Sequence, residues 1–189
     1  MPTPSRALHR RRHRAALRAV LRHTEPESWL DVGAGPLPFA AAAREAEPYI
    51  AFDGLGPGDG VRRAAADGHI EEAHLGTLPA LARRLAGRYD ALSMLHHLER
   101  VEDPAAELAA AHTVLRPGGH LLIEAHGTPR PGLGRRAVLP APRPLPRPLL
   151  RRALDAAGFT LLSVCPLPPA FGGLGRAGAY RAVARRAAG

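Results

Sequence analysis

The amino-acid sequence predicts an α/β fold, a doubly wound and mostly parallel sheet with helices on both faces. Short apolar runs alternate along the chain with segments of helical spacing, and glycine or proline separates many of them. Strands that alternate with helices favour a parallel sheet covered on both faces. Right-handed crossovers then bring the carboxyl ends of the parallel strands to one edge, where ligands bind in open sheets of this class.

The first half of the chain is predicted to form three helices and two strands. They are a helix over residues 5–23, a strand over 29–32, a helix over 38–47, a strand over 49–52 that ends at Asp53, and a short helix over 61–66. The first helix is amphipathic, because its apolar residues recur along one helical face. Pro36 suits the start of the second helix, where no N–H donor is needed. Glycines and Pro57 predict a loop over residues 54–60.

The second half of the chain is predicted to form three helices and four strands. They are a helix over residues 78–85, a strand over 89–95, a helix over 104–115, a strand over 120–123, a helix over 149–157, and strands over 159–165 and 179–184. Asp103 is the predicted N-cap of its helix, with Pro104 at the first helical position. Residues 117–119 (PGG) end that helix. Residues 70–75 are a poor strand candidate because two glutamates interrupt them, and the last strand is expected to pair at the sheet edge.

The segment from Trp29 to Pro36 carries the main functional signal. An apolar run that contains Asp31 is followed by glycines at positions 33 and 35 and then by an alanine-rich helix. Glycine permits backbone angles that a side chain would forbid and lets a ligand lie against the main chain. The helix presents free N–H donors at its N-terminus. This arrangement is typical of a strand that turns sharply into a helix beneath a nucleotide-like ligand.

Composition limits the kinds of protein this chain can be. At 189 residues with 46% hydrophobic residues, it is long enough for one domain with a sizeable core. Aromatic residues make up only 4%, so the core must consist mainly of Leu, Val and Ala. All 26 basic side chains, leaving histidine aside, are arginines, and Lys, Asn and Gln are absent, which indicates a GC-rich coding sequence.

The net charge of +9 is unevenly distributed. Residues 1–23 carry seven arginines and no acidic residue, residues 24–124 have eight excess negative charges, and residues 125–189 have ten excess positive charges. Solvated basic flanks on an acidic domain are the ordinary interpretation. A surface for nucleic acid is the alternative. No aromatic residues lie among the N-terminal arginines, which disfavours a stacking platform for single strands.

The single cysteine, Cys165, excludes an internal disulfide and a cysteine-rich metal site. It is consistent with a reducing compartment, and we expect a cytoplasmic location. No apolar run reaches the roughly 18 residues of a membrane span, so no membrane association is expected. The N-terminus lacks the apolar centre of a secretory signal. The histidines show no metal-ligand spacing, so the sequence predicts no metal site.

Four segments resemble, in order, the motifs of class I S-adenosylmethionine-dependent methyltransferases over about residues 28–165. Residues 31–35 (DVGAG) resemble the acidic, glycine-rich first motif, and Asp53 resembles the acidic residue that holds the cofactor ribose. Residues 89–99 resemble the fourth strand and the His-His-Leu segment after it, and residues 115–123 resemble the turn and fifth strand. The resemblance implies a Rossmann-like fold.

The resemblance also implies that the chain binds S-adenosyl-L-methionine and transfers a methyl group to a small-molecule acceptor. The implied cofactor-binding residues are Asp31, Gly33, Ala34, Gly35, Asp53, Gly54, Thr77, Leu78, Ser93 and Met94. A carboxylate at Asp53 would accept hydrogen bonds from the ribose hydroxyls, as the acidic residue of dinucleotide-binding folds does at a similar spacing.

The implied organisation is a basic N-terminal helix over residues 1–27 and a methyltransferase domain over 28–189. A Pro/Arg-rich loop over 127–148 interrupts the domain. Loops this long inside a compact domain are functional or mobile. We therefore expect this one to be a mobile lid or a substrate loop.

His96 and His97 follow the strand predicted over residues 89–95, at the edge where ligands bind. Histidine titrates near neutral pH and suits proton abstraction from a methyl acceptor, so His97 is the predicted catalytic base. The competing interpretation gives both histidines structural roles, one capping the segment and the other half buried.

Two departures from the family pattern leave other functions open. Leu37 stands where the first motif would have its third glycine, and Thr77 stands where many members have an acidic residue that contacts the adenine. A catalytically silent, cofactor-binding homologue is therefore one alternative. An RNA methyltransferase that uses the basic flanks is another, although no Asn-Pro-Pro-Tyr segment follows the fourth strand. A nicotinamide dehydrogenase would need glycine at position 38, which is Pro38.

Overall fold

The computed structural model of the chain describes residues 4–33, 37–127, 143–167 and 178–188. Its helices are α1 (Pro4–Leu21), α2 (Pro38–Ala46), α3 (Asp59–Ala66), α4 (Leu78–Leu81), α5 (Pro104–Val114) and α6 (Arg147–Ala156). Its strands are β1 (Ser28–Val32), β2 (Ala51–Gly56), β3 (Ala73–Leu75), β4 (Tyr89–Leu95), β5 (Leu115–His126), β6 (Phe159–Pro166) and β7 (Ala179–Arg186).

The strands form one seven-stranded sheet in the order β3-β2-β1-β4-β5-β7-β6. The first five strands in that order pair in parallel, and β7 pairs antiparallel with both β5 and β6. The predicted doubly wound, mostly parallel α/β fold is confirmed. Strand order reverses between β1 and β4, and this reversal is the switch point at which open sheets bind ligands.

The core lies on both faces of the sheet, as expected for this class. One apolar cluster includes residues of α1, α2 and α3, and the other includes residues of α4, α5 and α6. In the first, Trp29 packs against Phe39 and Phe52 with ring centroids 5.5 and 5.7 Å away. Leu17 and Val20 of α1 are fully buried in the same cluster, so the basic N-terminal helix packs against the sheet domain through its apolar face.

The expectation that the last strand pairs at the sheet edge is wrong. β7 lies between β5 and β6, and β6 is the edge strand. The burial of the two strands gives the physical reason. Six successive residues of β7, from Ala179 to Ala184, are buried, whereas β6 alternates between half-buried and exposed positions after Phe159. Burial at successive positions shows that both faces of β7 are covered, as is typical of a strand in the interior of a sheet.

Several predicted boundaries also differ from the structure. β2 continues past Asp53 to Gly56, and β5 begins at Leu115, where the sequence predicted the end of a helix and a turn. Gly118 has a φ of 79°, at the point where the pairing of β5 with β4 shifts register, so the PGG segment forms an irregularity within the strand. α6 begins at Arg147, inside the predicted loop, and residues 128–142 of that loop lie outside the described residues.

The N-cap of α5 forms as predicted. The Asp103 carboxylate accepts hydrogen bonds from the backbone N–H groups of Ala105 and Ala106, both at 3.0 Å. Such a cap contributes about 1 kcal/mol to helix stability and fixes the direction of the first turn. That turn carries Glu107, which is buried. Within the described part of the chain, none of the helices is both long and apolar enough to cross a membrane.

Candidate functional site

A cleft at the carboxyl edge of the sheet contains two adjoining cavities. The smaller cavity, of about 580 Å³, lies beside the ends of β2 and β3. The larger, of about 1220 Å³, lies against α1 and α2. Both are lined by the same four residues at the ends of β1 and β4, which are Val32, Gly33, Leu95 and His96. The cleft therefore sits at the switch point, where the fold predicts a ligand.

The smaller cavity is mostly apolar, with a few polar groups on one side. Its backbone and apolar lining comes from Val32, Gly33, Leu55, Gly56, Pro57, Gly76, Leu78, Leu95 and Val101. Thr77, His96, His97, Arg100 and Glu107 supply the polar groups. Cavities that bind small molecules combine an apolar lining with a few placed polar groups in this way. Thr77 and Leu78, two of the residues that the resemblance implies for the cofactor, thus lie in the cleft.

Gly56 occupies the end of β2, and no side chain fits there. A Cβ atom built on Gly56 would lie 2.0 Å from the carbonyl oxygen of Gly33 and 2.8 Å from a methyl group of Val61. The first contact involves backbone, so no side-chain rotation relieves it. The end of β2 therefore carries no carboxylate, and the expectation that the strand ends at an acidic residue is wrong.

Asp53 lies within β2 and lines neither cavity. Its carboxylate accepts hydrogen bonds from the Tyr89 hydroxyl at 2.6 Å, the Glu72 backbone N–H at 3.0 Å and the Arg88 guanidinium at 3.3 Å. Burial alone would raise the pKa of Asp53, but hydrogen bonds from His74, Tyr89 and the Glu72 backbone outweigh it and hold the pKa below its usual value. The geometry gives Asp53 an internal role in joining β2, β3 and β4.

Three other residues implied by the resemblance are inside the domain. Gly54 packs beneath Leu37, because a Cβ atom there would lie 2.3 Å from Leu37 Cδ1. Ser93 and Met94 are fully buried and line neither cavity. Strand β4 runs to Leu95, so the cleft is lined by residues slightly later in the chain than those predicted. Ala34 and Gly35 lie outside the described residues.

Asp31 lines the larger cavity but is nearly buried. Its Oδ1 accepts a hydrogen bond of 2.6 Å from the Ser93 hydroxyl, which in turn accepts one of 3.0 Å from the Trp29 indole. Burial raises the pKa of Asp31 to about 6, although the hydrogen bond from Ser93 opposes the shift. Asp31 therefore keeps its proton to a higher pH than an exposed aspartate does.

Leu37 adopts a left-handed backbone conformation, with φ 47° and ψ 60°, at the N-cap of α2. This conformation costs roughly 1–2 kcal/mol for a residue with a Cβ atom. The side chain is buried and fills the space above Gly54, and the residue lines the larger cavity. Leu37 thus has a left-handed conformation at the position where the family motif has its third glycine.

His97 and Glu107 form a pair in the smaller cavity. The two side chains are joined by a hydrogen bond of 3.1 Å between His97 Nε2 and Glu107 Oε2. The loop after β4 positions His97, and the capped first turn of α5 positions Glu107. A carboxylate that holds an imidazole in this way orients it for proton transfer.

Buried charged groups lie at the ends of β4 and β5, on the side of the cleft away from β2 and β3. The Glu124 carboxylate accepts hydrogen bonds from Arg181 at 2.6 and 3.0 Å, and it also pairs with Arg12 of α1. Glu99 accepts hydrogen bonds from the His126 ring at 2.7 Å and the His126 backbone N–H at 2.6 Å. His96 lies 3.3 Å from Glu99 and also contacts Arg12.

The sequence did not single out several residues in or beside this cleft, of which Glu99 and His126 line neither cavity. Gly56 was treated as part of a loop, and Arg100, Glu99 and His126 were not considered. Glu107 was noted only as an acidic residue near a helix start. Its position one turn after the Asp103 cap, in a helix that starts at the carboxyl edge of the sheet, could have indicated a place in the cleft.

A doubly wound sheet with Gly33 after its first strand and a cleft at its switch point defines an α/β protein of the class that binds nucleotides and related cofactors. Residues 5–164 match the family model of a methyltransferase domain. The chain therefore belongs to the class I S-adenosylmethionine-dependent methyltransferases, and the resemblance found in the sequence is confirmed.

Individual relatives agree with this family. The chain is 43% identical over 47 residues to the ubiquinone biosynthesis O-methyltransferase of Azotobacter vinelandii, a match that covers 25% of this chain and 20% of that protein. It is 32% identical over 98 residues to the protein of the same name from Acinetobacter baylyi, covering 50% of this chain and 41% of that one. The chain thus matches less than half the length of these curated relatives.

A solved structure of similar size supports the fold. An S-adenosylmethionine-dependent methyltransferase from Mesorhizobium loti superposes with a TM-score of 0.70 and 23% identity, covering 91% of this chain and 96% of that protein. At this identity the likeness shows the shared fold.

The residues of the cleft fit the family's cofactor, except that the strand β2 does not end in an acidic residue. The smaller cavity has a volume and an apolar lining that suit a nucleoside. The end of β2 supplies no acceptor for ribose hydroxyls, since Gly56 has no side chain. Of the residues that line the smaller cavity, Glu107 alone carries a carboxylate. A ribose in this cavity would therefore take its charged acceptor from α5.

Proposed function

We propose that the chain binds S-adenosyl-L-methionine and methylates a hydroxyl oxygen of a small-molecule acceptor. The observation that carries the proposal is the smaller cavity at the switch point, in a chain that belongs to this family. When bound, the cofactor supplies an electrophilic methyl group. The larger adjoining cavity provides space for the acceptor, and the O-methyltransferase relatives support oxygen as the acceptor atom.

We assign the nucleoside to the smaller cavity. Gly33 lets the ligand lie against the backbone, Leu78 offers an apolar surface to the base, and Thr77 offers a hydroxyl beside it. Glu107 accepts hydrogen bonds from the ribose in place of Asp53. Hydrogen bonds to a charged acceptor contribute about 1.5–3 kcal/mol each, which is enough to dominate the recognition of a nucleoside.

We assign the proton transfer to His97. The Glu107 carboxylate holds its ring through Nε2, which leaves Nδ1 as the atom that accepts the proton of the acceptor hydroxyl. His97 lines the smaller cavity, while its neighbour His96 lines both. The geometry therefore also permits a positioning role for His97, in which it orients Glu107 toward the ribose.

Calorimetric titration with S-adenosylhomocysteine tests the cofactor site. Glu107→Gln should weaken binding by about 10- to 100-fold, the loss of one charged hydrogen bond. Asp53→Asn is the matched control, because it makes the same chemical change at the carboxylate first predicted to hold the ribose. It should change binding by no more than about twofold. Weaker binding in the Asp53 variant with unchanged binding in the Glu107 variant would overturn the assignment.

A methyl-transfer assay with radiolabelled cofactor and a panel of phenols and catechols tests the reaction. With any acceptor that the panel yields, His97→Gln should lower kcat by about 100-fold or more, while cofactor affinity stays within about threefold. His112→Gln, which lies outside both cavities, is the control. A rise in KM for the cofactor at unchanged kcat would instead show that His97 acts by positioning Glu107.

The alternatives receive less support from the described residues. Arg10 and Arg14 of α1 pair with Glu45, and Arg12 pairs with Glu124, so these arginines are partly neutralised within the protein. This disfavours a nucleic-acid surface on that face of α1. Cofactor binding without transfer to any acceptor would support the catalytically silent homologue.

A further inference from the structure

His96, Glu99 and His126 form a compact cluster at the ends of β4 and β5. One possible ligand atom from each lies within 4.8 Å of the others. His96 follows β4 directly, and His126 is the last residue of β5. Glu99 is fixed between them, because its second oxygen accepts the His126 backbone N–H at 2.6 Å.

Hydrogen bonding within the cluster leaves a buried nitrogen unsatisfied. The His126 ring bonds to Glu99 through Nδ1, and among the described residues its Nε2 is buried without a hydrogen-bond partner. When Nδ1 donates to the carboxylate of Glu99, Nε2 is a buried acceptor without a partner among the described residues. A buried polar atom without a partner costs about 1–3 kcal/mol. Because no hydrogen bond from the described residues holds Nε2, the His126 ring can shift when Nδ1 exchanges its proton for an ion.

The backbone at the cluster is strained in a way typical of functional sites. His96 has a φ of 57°, one of only two positive values among the non-glycine residues that the structure describes. Its ring stacks on the His126 ring with centroids 4.7 Å apart. The strained backbone therefore holds two imidazoles face to face beside one carboxylate, and strain of this kind persists where the surrounding structure fixes it for a purpose.

We propose that His96, Glu99 and His126 bind a divalent transition-metal ion, with Zn²⁺ the best match to the ligand set. Two imidazoles and one carboxylate, with further positions open to water or substrate, are typical of catalytic zinc sites and of related iron sites. Bonds of about 2.1 Å in a tetrahedral site place ligand atoms roughly 3.4 Å apart. The distance of 3.3 Å between His96 Nδ1 and Glu99 Oε1 already matches. The 2.7 Å between Glu99 Oε1 and His126 Nδ1 must lengthen by about 0.7 Å, because the ion replaces the proton on Nδ1.

The surroundings of the cluster accommodate the added charge. Glu124 lies 3.8 Å from His96 Nε2 and provides a second carboxylate near the ion. Arg12 is the nearest cation, and its side chain is 28% exposed, so it can turn toward solvent when the ion binds. Arg181 stays paired with Glu124. Carboxylates that hold the outer nitrogen of a histidine ligand commonly support metal sites.

A second cluster, of Asp53, Glu72 and His74, has suitable residue types but is already neutralised. The Arg88 guanidinium lies 2.6 Å from Glu72 and 3.3 Å from Asp53. A metal ion there would have to displace this cation and also the buried Tyr89 hydroxyl, which donates to Asp53 at 2.6 Å. The second cluster therefore serves as an internal control for the first.

The position of the first cluster gives the ion a role in the reaction. His96 lines both cavities, so an ion on its ring would face the region where they meet. An oxygen that binds a divalent ion loses its proton more readily. This role rests on the proposed methyl transfer, whereas metal binding itself does not.

Titration of the full-length, tag-free, chelator-treated protein with Zn²⁺ and with Co²⁺ tests the site. We expect one ion per chain, a higher Tm with Zn²⁺, and visible Co²⁺ absorption of a low-coordinate site. Glu99→Gln and His126→Gln should each weaken binding by at least about tenfold. Because Glu99 also fixes the backbone, His96→Gln provides a second variant at a partly exposed position, and circular dichroism checks folding. Glu72→Gln should leave binding unchanged.

The outcomes separate this proposal from the proposed function. No stoichiometric binding, or binding that survives in both Glu99→Gln and His96→Gln, would overturn the metal site. Loss of binding in Glu72→Gln alone would place the ion in the second cluster and would also overturn it. Zn²⁺ binding by a protein that does not bind S-adenosylhomocysteine would confirm the metal site while rejecting the proposed cofactor.

Discussion

The two ends of the cleft are built in opposite ways. Beside β2 and β3, the cavity is lined by glycine backbone and apolar side chains, with Gly56 pressed against Gly33. Beside β4 and β5, ionisable groups are buried against one another, with Glu124 held by two arginines and Glu99 by histidines. The first end is shaped by contact between backbones, and the second by paired charges.

This difference determines which changes each end tolerates. Close backbone packing leaves no room for additional atoms, so the glycine end should be sensitive to any added side chain. Buried ion pairs leave an uncompensated charge when one partner is lost, so the charged end should be sensitive to removal of a carboxylate. Asp31 lies between the two ends and responds to pH, because its environment disfavours the ionised form.

The largest effect is expected when the central carboxylate of the charged end is removed. Glu124→Gln leaves Arg181, which is only 6% exposed, facing a neutral amide. Breaking a buried pair in this way costs about 3–5 kcal/mol. Urea denaturation should show this loss in the free energy of unfolding. Glu45→Gln removes an exposed partner of Arg10 and should cost no more than about 1 kcal/mol. Equal losses in the two variants would contradict the described burial.

The next effect is a pH dependence carried by Asp31. Its pKa in the folded protein, about 6, exceeds the unfolded value of 3.8, so the folded state holds the proton more tightly. The associated stability is fully present below about pH 4 and is lost as pH rises through about 6. The shift corresponds to up to about 3 kcal/mol.

Asp31→Asn isolates this contribution, since the amide does not titrate. The difference in unfolding free energy between the wild type and Asp31→Asn, measured in urea from pH 4 to 8, should shift by up to about 3 kcal/mol in favour of the variant. The other carboxylates titrate alike in the wild type and the variant, so their contributions cancel in the difference between the two unfolding free energies. A difference that stays constant across this range would show that Asp31 has an ordinary pKa. A shift reduced by S-adenosylhomocysteine would place the ligand beside this carboxylate.

The sequence predicted those features of the fold that depend on local patterns. Trp29 to Val32, the Asp103 cap and the strand over 89–95 follow from apolar runs and capping chemistry, and the structure contains each of them. The end of β2 could not be placed in this way. Asp53 followed by glycine predicts a turn. The strand instead continues to Gly56, which packs against the backbone of Gly33 just after β1.

The sequence named candidate site residues only where they lie in short continuous segments of the chain. Thr77 and Leu78, which the resemblance implied, and His97, which lies just after the strand predicted over residues 89–95, line the smaller cavity. The cluster of His96, Glu99 and His126 depends on pairing between β4 and β5, which brings residues 27 positions apart into contact. Spacing along the sequence carries no sign of such a group.

The smallest of these effects tests the glycine end of the comparison. Gly56→Ser adds a side chain whose Cβ atom would meet a carbonyl oxygen, so the backbone must move at a cost of about 1–3 kcal/mol. Gly58→Ser is the matched control, because a Cβ atom there meets nothing within 4 Å and serine is favoured at the N-cap of α3. It should leave the free energy of unfolding unchanged or slightly raised.

Ligand binding by the two serine variants sharpens the same test. Movement of Gly33 in the Gly56 variant should weaken binding of S-adenosylhomocysteine by about tenfold, because the backbone at β1 lines both cavities. Tighter binding in that variant would mean that a polar group at the end of β2 can reach the ribose. In that case the contact between Gly56 and Gly33 would not prevent the end of β2 from hydrogen-bonding the ribose. The proposed difference between the glycine end and the charged end of the cleft would then be wrong.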